Sequence, residues 1–134
     1  TYNCKMSKIL AEISAGEFFD KLSILEIKLN KIKDLVLLNE VKKEYEILNE
    51  TKNKNINFSK EIEILYKDLK ETNEKLWKIE DEIRLCEKNS DFKDKFIQLS
   101  RDVYFTNDKR SKTKSEINKI LGSNIIEVKQ YTQY

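Results

Sequence analysis

Residues 59–88 read SKEIEILYKDLKETNEKLWKIEDEIRLCEK, and this stretch decides the fold. Ile62, Leu65, Leu69, Thr72, Leu76, Ile79, Ile83 and Cys86 follow a sustained four-three step. That spacing keeps one narrow face of a helix against a partner, as in a coiled-coil seam. Ser59 is placed to cap the helix, and Phe58 just before it can staple onto Ile62. Asn89-Ser90 then forms a tight turn, with Ser90 or Asp91 capping a further helix over 91–121. Gly122 ends that helix as a C′ glycine. Each of the two helices spans about 45 Å at 1.5 Å rise per residue. So short a turn forces them into an antiparallel hairpin.

Working outward, Ser14 and Glu17 have the spacing of a capping box that opens a helix over 16–38. Phe18, Leu22, Leu25, Leu29, Ile32 and Val36 line one side, and Ile24 and Ile27 widen the stripe. A stripe that wide suits contact with more than one neighbour. Asn39 is a candidate cap for another helix over 40–50, with Val41, Tyr45 and Leu48 on one face. The polar Asn/Lys-rich run from Asn49 to Asn57 reads as a loop. Apolar and polar residues alternate around Ile9–Ile13 and Ile125–Lys129, which predicts short strands. The expectation is an all-α fold: one domain over 7–131, an elongated antiparallel helical bundle with a long hairpin. The termini are expected to form a short two-stranded β element.

Composition narrows the function. The 134 residues are 39% hydrophobic and 37% charged, with Lys+Arg 26 and Asp+Glu 24, net +2. The signs interleave, so no basic stripe points to nucleic acid. No apolar run is long enough to insert in a membrane. Cys4 and Cys86 form no metal-ligand spacing and His is absent, which argues against structural zinc, disulfides and imidazole chemistry. These features fit a cytoplasmic protein without a cofactor, and Met6 could be a natural start.

Only three of the basic residues are arginines: Arg84, Arg101 and Arg110. Lysine suits a wet surface, whereas arginine offers a rigid fork for carboxylate or phosphate. The seam Phe92, Phe96, Leu99, Val103 should continue at 106, 110 and 113 before Ile117 and Ile120, yet those positions are Thr106, Arg110 and Thr113. Polar groups there must be hydrogen-bonded or reach water. Flanks beside the seam carry Arg101, Tyr104, Asn107 and Asp108 on one helix and Tyr66, Asn73, Trp77, Glu80 and Arg84 on the other. A hairpin closed near residue 90 places Trp77 near Tyr104 and lets Arg101 bridge to Glu80. Glu17, Asp20, Lys21 and Lys28 give the first helix a similar mixed flank. Two readings compete. In one, these groups form an internal salt-bridge network that sets helix register. In the other, Arg101, Arg110 and Lys114 converge on an anionic ligand with Trp77 or Tyr104 as its wall.

The run Gly16-Glu17-Phe18-Phe19-Asp20-Lys21-Leu22-Ser23-Ile24-Leu25-Glu26-Ile27-Lys28 resembles the opening of a bacterial family of unknown function. The resemblance returns at Val41–Tyr45, Leu76–Arg84 and Phe96–Arg101, then at Val103-Tyr104 and Thr106–Arg110. It continues at Lys114, Ile117-Asn118 and Gly122-Ser123, and ends near Glu127, Lys129 and Tyr131. The resemblance implies a small helical accessory domain, found alone or joined to glycosyltransferase or tetratricopeptide-repeat proteins, and so surface-polysaccharide work.

Residues and resemblance together favour a non-catalytic binding or assembly module. Its candidate ligand contacts are Trp77, Glu80, Arg84, Arg101, Tyr104, Asn107, Asp108, Arg110 and Lys114. The expected partners are a second copy in a homodimer and either a glycosyltransferase or an anionic small molecule. The alternative is a small enzyme that acts on an anionic substrate by electrostatic positioning.

Overall fold

The computed structural model describes residues 7–134, so Cys4 and Met6 lie outside the described residues. Four helices follow in order: α1 (Ala15–Lys31), α2 (Leu35–Asn55), α3 (Lys60–Lys88) and α4 (Asp94–Leu121). The fold is all-α. Helices α3 and α4 form the expected antiparallel hairpin, and α1 packs against each of the other three.

The turn between α3 and α4 departs from the expected capping. Ser90 takes a left-handed backbone, φ 53°, and the Asp91 N–H reaches back to the Cys86 carbonyl at 2.8 Å. That closure ends α3 in the manner of a Schellman motif. Residues 91–93 therefore stay outside the next helix, which starts at Asp94 with no side-chain cap rather than at Ser90 or Asp91. Gly122 does end α4, with φ 62°.

The break between α1 and α2 falls earlier than the apolar stripe suggests. Asp34 caps α2, its Oδ1 accepting from the N–H groups of Val36 and Leu37 at 2.9 and 3.1 Å. A cap there starts a new helix, so the expected boundaries 16–38 and 40–50 are replaced by 15–31 and 35–55, and Val36 is turned out to water. The stretch expected as a loop is helical to Asn55. Glu50 and Lys54 pair at 2.6 Å, and Thr51 and Asn55 bond back to carbonyls one turn earlier. Local i,i+4 pairs of this kind support a helix that only half-buries Tyr45 and Leu48 against the core.

The expected terminal β element is absent: the described residues include no strand. The two ends meet through side chains instead. Asn124 donates to Glu12 at 2.8 Å, and Ser14 Oγ donates to Glu127 at 2.7 Å. The alternation at each end corresponds to no buried face: Ile9, Leu10, Ile126 and Val128 are all exposed.

Two apolar clusters hold the hairpin. The larger joins Phe18, Phe19 and Leu22 of α1 to Ile62 and Leu69 of α3 and Ile117 of α4. Phe58 joins it by packing on Phe19 and Tyr66, ring centroids 6.0 Å away in each case. The smaller contains only hairpin residues: Ile79, Cys86 and Leu99, flanked by Ile83, Phe96 and Val103. Cys86 is thus a buried core filler.

Where α1 meets α4, Gly16 is the contact. A Cβ on Gly16 would lie 2.5 Å from the Lys114 carbonyl oxygen and 2.9 Å from Lys114 Cβ. Both backbones would have to move apart to admit it. Gly16→Ala is expected to destabilise the domain by about 2 kcal/mol, the usual scale for overpacking, as a fall in the urea midpoint. An unchanged midpoint would show that the α1–α4 approach is not tight.

Candidate functional site

The site is built on Asp20, one turn into α1 and only 4% exposed. A buried carboxylate needs donors and opposite charge, and each neighbouring helix supplies them. From α3, Asn73 Nδ2 donates to Asp20 Oδ1 at 2.9 Å and to Ser23 Oγ at 2.8 Å. From α4, Arg110 Nε lies 3.8 Å from Asp20 Oδ1, and Lys114 Nζ lies 3.8 Å from Oδ2. Ser23 Oγ in turn donates to the Asp20 carbonyl. With both amide hydrogens committed, the Asn73 side chain is locked in one orientation.

Lys114 is enclosed one turn further along. Its ammonium donates to Glu17 and to Glu127, each at 2.8 Å, and its side chain is 6% exposed. Burial alone would lower its pKa. The hydrogen bonds to Glu127 and Glu17 and the charges of Asp20 and Glu17 outweigh burial and hold it above the ordinary lysine value. Burial likewise acts to raise the Glu127 pKa, but hydrogen bonds from Lys114 and Ser14 and the charges of Lys114 and Lys129 bring it below the ordinary carboxylate value.

The first N–H groups of α1 are also met by side chains. Ala15 N–H donates to Ser123 Oγ at 3.1 Å, Gly16 N–H to Asn118 Oδ1 at 2.6 Å, and Glu17 N–H to Ser14 Oγ at 3.1 Å. Gly16, Glu17, Asp20, Lys114, Asn118, Ser123 and Glu127 therefore belong to one continuous polar network that ties α1 to α4 and to the segment after it. Thr113, another position of the polar gap, donates its Oγ1 hydroxyl to Asp68 Oδ2 on α3 at 3.0 Å.

Arg110 stands at the edge of this network. It is 27% exposed at its side chain, and no hydrogen bond from its terminal Nη groups occurs among the described residues. Two clefts meet at it. One, of about 650 Å³, runs between α1, α3 and α4, with Ile24, Ile27, Leu76, Trp77 and Val103 as apolar wall and Asn73, Glu80, Asp81, Arg84 and Asn107 as polar lining. The other, of about 1000 Å³, lies between α4 and the segment at 129–134 and is lined by Tyr104, Asp108, Ser111, Lys129 and Tyr131 among others. Val103, Asn107 and Arg110 line both.

The residues nominated from sequence thus divide. Trp77, Glu80, Arg84, Asn107 and Arg110 share the first cleft, and Tyr104, Asn107, Asp108 and Arg110 share the second. Glu80 and Arg84 pair at 3.6 Å on the exposed side of α3. Trp77 and Tyr104 line different clefts. Arg101 lies outside both, its guanidinium 5.9 Å from the Phe105 ring, and makes no bridge to Glu80. Lys114 faces carboxylates instead of either cleft. Sequence reasoning did not foresee Glu127 as the partner of Lys114; a lysine on a buried helix face was the available signal that an acid must come to it. Elsewhere in the core, the Tyr66 hydroxyl is buried with no hydrogen-bond partner, and burial together with the nearby Glu26 carboxylate pushes its pKa upward. Among the described residues, no group of three or more His, Cys, Asp or Glu could hold a metal ion.

Comparison with known proteins places this arrangement in a family. Residues 9–134 match the family of unknown function DUF6165, and the chain belongs to that family. No curated protein and no solved structure matches it.

The network makes stability depend on pH at both ends. Glu127 contributes above the ordinary carboxyl value of 4.5, and its contribution is lost as pH falls through its lower folded value. Lys114 contributes below 10.5 and loses its contribution as pH rises through its higher folded value. Lys114→Met removes the cation shared by Glu17, Glu127 and the buried Asp20 and is expected to cost about 3 kcal/mol near neutral pH. In Glu127→Gln the acid-side loss of stability should be shallower. Urea midpoints across the pH range check both; an acid limb identical to the native one would remove Glu127 from the network.

Proposed function

We propose that this domain is a non-catalytic binding module that holds an anionic or polar small ligand at Arg110. One observation carries the reading. The Asp20 carboxylate lies 3.8 Å from the arginine's Nε, while the same side chain borders both clefts. A guanidinium with its carboxylate partner on the Nε side leaves its terminal donors for a ligand, which suits bidentate recognition of a carboxylate or phosphoryl group. Asn107 lies beside it in both clefts, and Trp77 with Ile24 and Leu76 gives the first cleft a flat apolar wall for the body of a ligand. A few polar groups on an apolar wall are the usual make-up of a small-molecule site.

The salt-bridge reading and the ligand reading then apply to different residues. Lys114, Asp20, Glu17 and Glu127 hold the helices together, whereas Arg110 joins that network to the clefts. By its resemblance to accessory domains joined to glycosyltransferases, the module would serve a surface-polysaccharide enzyme as one domain over 7–131.

Residue-resolved NMR titration with inorganic phosphate and with acetate tests the proposal. Saturable shifts centred on Asn107 and Arg110 are expected with at least one of the two anions. Arg110→Ala should keep the helical spectrum and weaken binding about tenfold or more, the scale of a charge-assisted pair. Arg110→Lys should recover only part of the loss, because the fork is gone. Absence of saturable shifts near Arg110 with both anions would overturn the reading.

A further inference from the structure

The segment from Ile126 onward contains neither helix nor strand, yet it is fastened at two points. The first fastening is ionic: Glu127, itself part-exposed, between the buried side chains of Lys114 and Ser14. The second is exposed and aromatic. The Tyr134 ring stands edge-on to Tyr104 and Phe105, centroids 5.4 and 5.3 Å away, and its hydroxyl donates to Asp108. Between the fastenings, Lys129 and Tyr131 line the larger cleft together with Asn107, Arg110 and Ser111 of α4.

We infer that this segment is half of the binding site: Lys129 supplies the second cation for a doubly charged phosphoryl group held opposite Arg110, and the segment closes over that group. The inference rests on the Arg110 reading and specifies its ligand class and gate. Three features support it. The cleft brings together two cations from different parts of the chain, with the hydroxyl of Ser111 and the amide of Asn107 as neutral donors. The acid in its lining, Asp108, already accepts the Tyr134 hydroxyl. The fastenings also differ in strength by their surroundings. The Glu127 end is bonded to two buried partners, Lys114 and Ser14, while Tyr134 is 74% exposed and held by ring contacts and one surface hydrogen bond. Contacts of that exposed kind are individually weak. The Tyr134 end can therefore lift while the Glu127 end stays seated, which opens and closes the cleft over the anion.

The test compares the native chain with Lys129→Ala, Tyr134→Ala and Arg110→Ala, titrated with inorganic phosphate and with acetate at constant ionic strength. Slightly above neutral pH phosphate is mostly dianionic. Phosphate is expected to bind more tightly than acetate and to shift resonances of Lys129, Tyr131 and Tyr134 together with those of Asn107. Lys129→Ala should weaken phosphate about tenfold, as expected for losing a charge-assisted contact, and erase the preference over acetate. Tyr134→Ala should speed phosphate release while the resonances of Ser14 and Glu127 stay in place. Binding that needs Arg110 but is unchanged by Lys129→Ala and Tyr134→Ala would overturn the inference and leave the Arg110 site standing. Equal affinity for acetate and phosphate in the native chain would overturn the dianion assignment. No saturable shift with either anion would remove the Arg110 reading and this inference together.

Discussion

A buried carboxylate on the first turns of α1 sets the terms for this structure. Asp20 cannot be placed among three helices unless each neighbour brings something to it, and each does: an amide from α3 and two cations from α4. The requirement is directional as well as electrostatic. Asn73 must lie where both its amide hydrogens are used, and Arg110 and Lys114 must sit one turn apart on the same side of α4. These demands fix the register of α1 against the hairpin more sharply than an apolar stripe can, because leucines and phenylalanines tolerate a slide that a hydrogen bond does not. Apolar burial of Phe19, Leu22, Ile62, Leu69 and Ile117 supplies the drive to associate; the polar cluster selects one way of associating.

Gly16 is the steric counterpart of that electrostatic demand. Lys114 reaches Glu17 and Asp20 only because α1 and α4 come close enough for backbone to touch backbone, and a side chain at Gly16 would hold them apart. The same closeness lets Asn118 and Ser123 satisfy the first N–H groups of α1. A helix start that would otherwise attract an anion is thereby filled by the protein's own groups. The cation left at the border of that network, beside both clefts, is Arg110.

The hairpin was legible because a four-three step over so many turns has one physical solution, and the residues on that step are the ones that face inward. The polar gap at Thr106, Arg110 and Thr113 was legible for the same reason: a seam position that is not apolar must be explained by a partner. Its partners were not. Asp20 and Asp68 are far from α4 in sequence, and nothing local marks one acid among the many as the one that will meet it. The α1–α2 boundary misled in another way. The apolar stripe runs on through Val36, and periodicity cannot register that Asp34 caps a fresh helix and turns the stripe to solvent. The ends misled because alternation was taken for strand pairing; side-chain bonds from Asn124 and Ser14 bring the termini together without any ladder.

The two halves of the hairpin therefore differ in kind. Near the open end, three helices, a buried ion network and the larger apolar cluster constrain α4 from several sides. Beyond Val103 toward the turn, only α3 and α4 hold each other, through Ile79, Cys86 and Leu99. Both clefts reach Val103, Asn107 and Arg110, the stretch where one regime gives way to the other. The first cleft lies at this junction: Ile24 and Ile27 of α1 and Leu76 and Trp77 of α3 wall it, and Arg110 of α4 stands beside them with the Asp20 carboxylate behind its Nε. The charged border comes from the ion network and the apolar wall from the facing sides of α1 and α3, so the cleft sits where the two regimes adjoin.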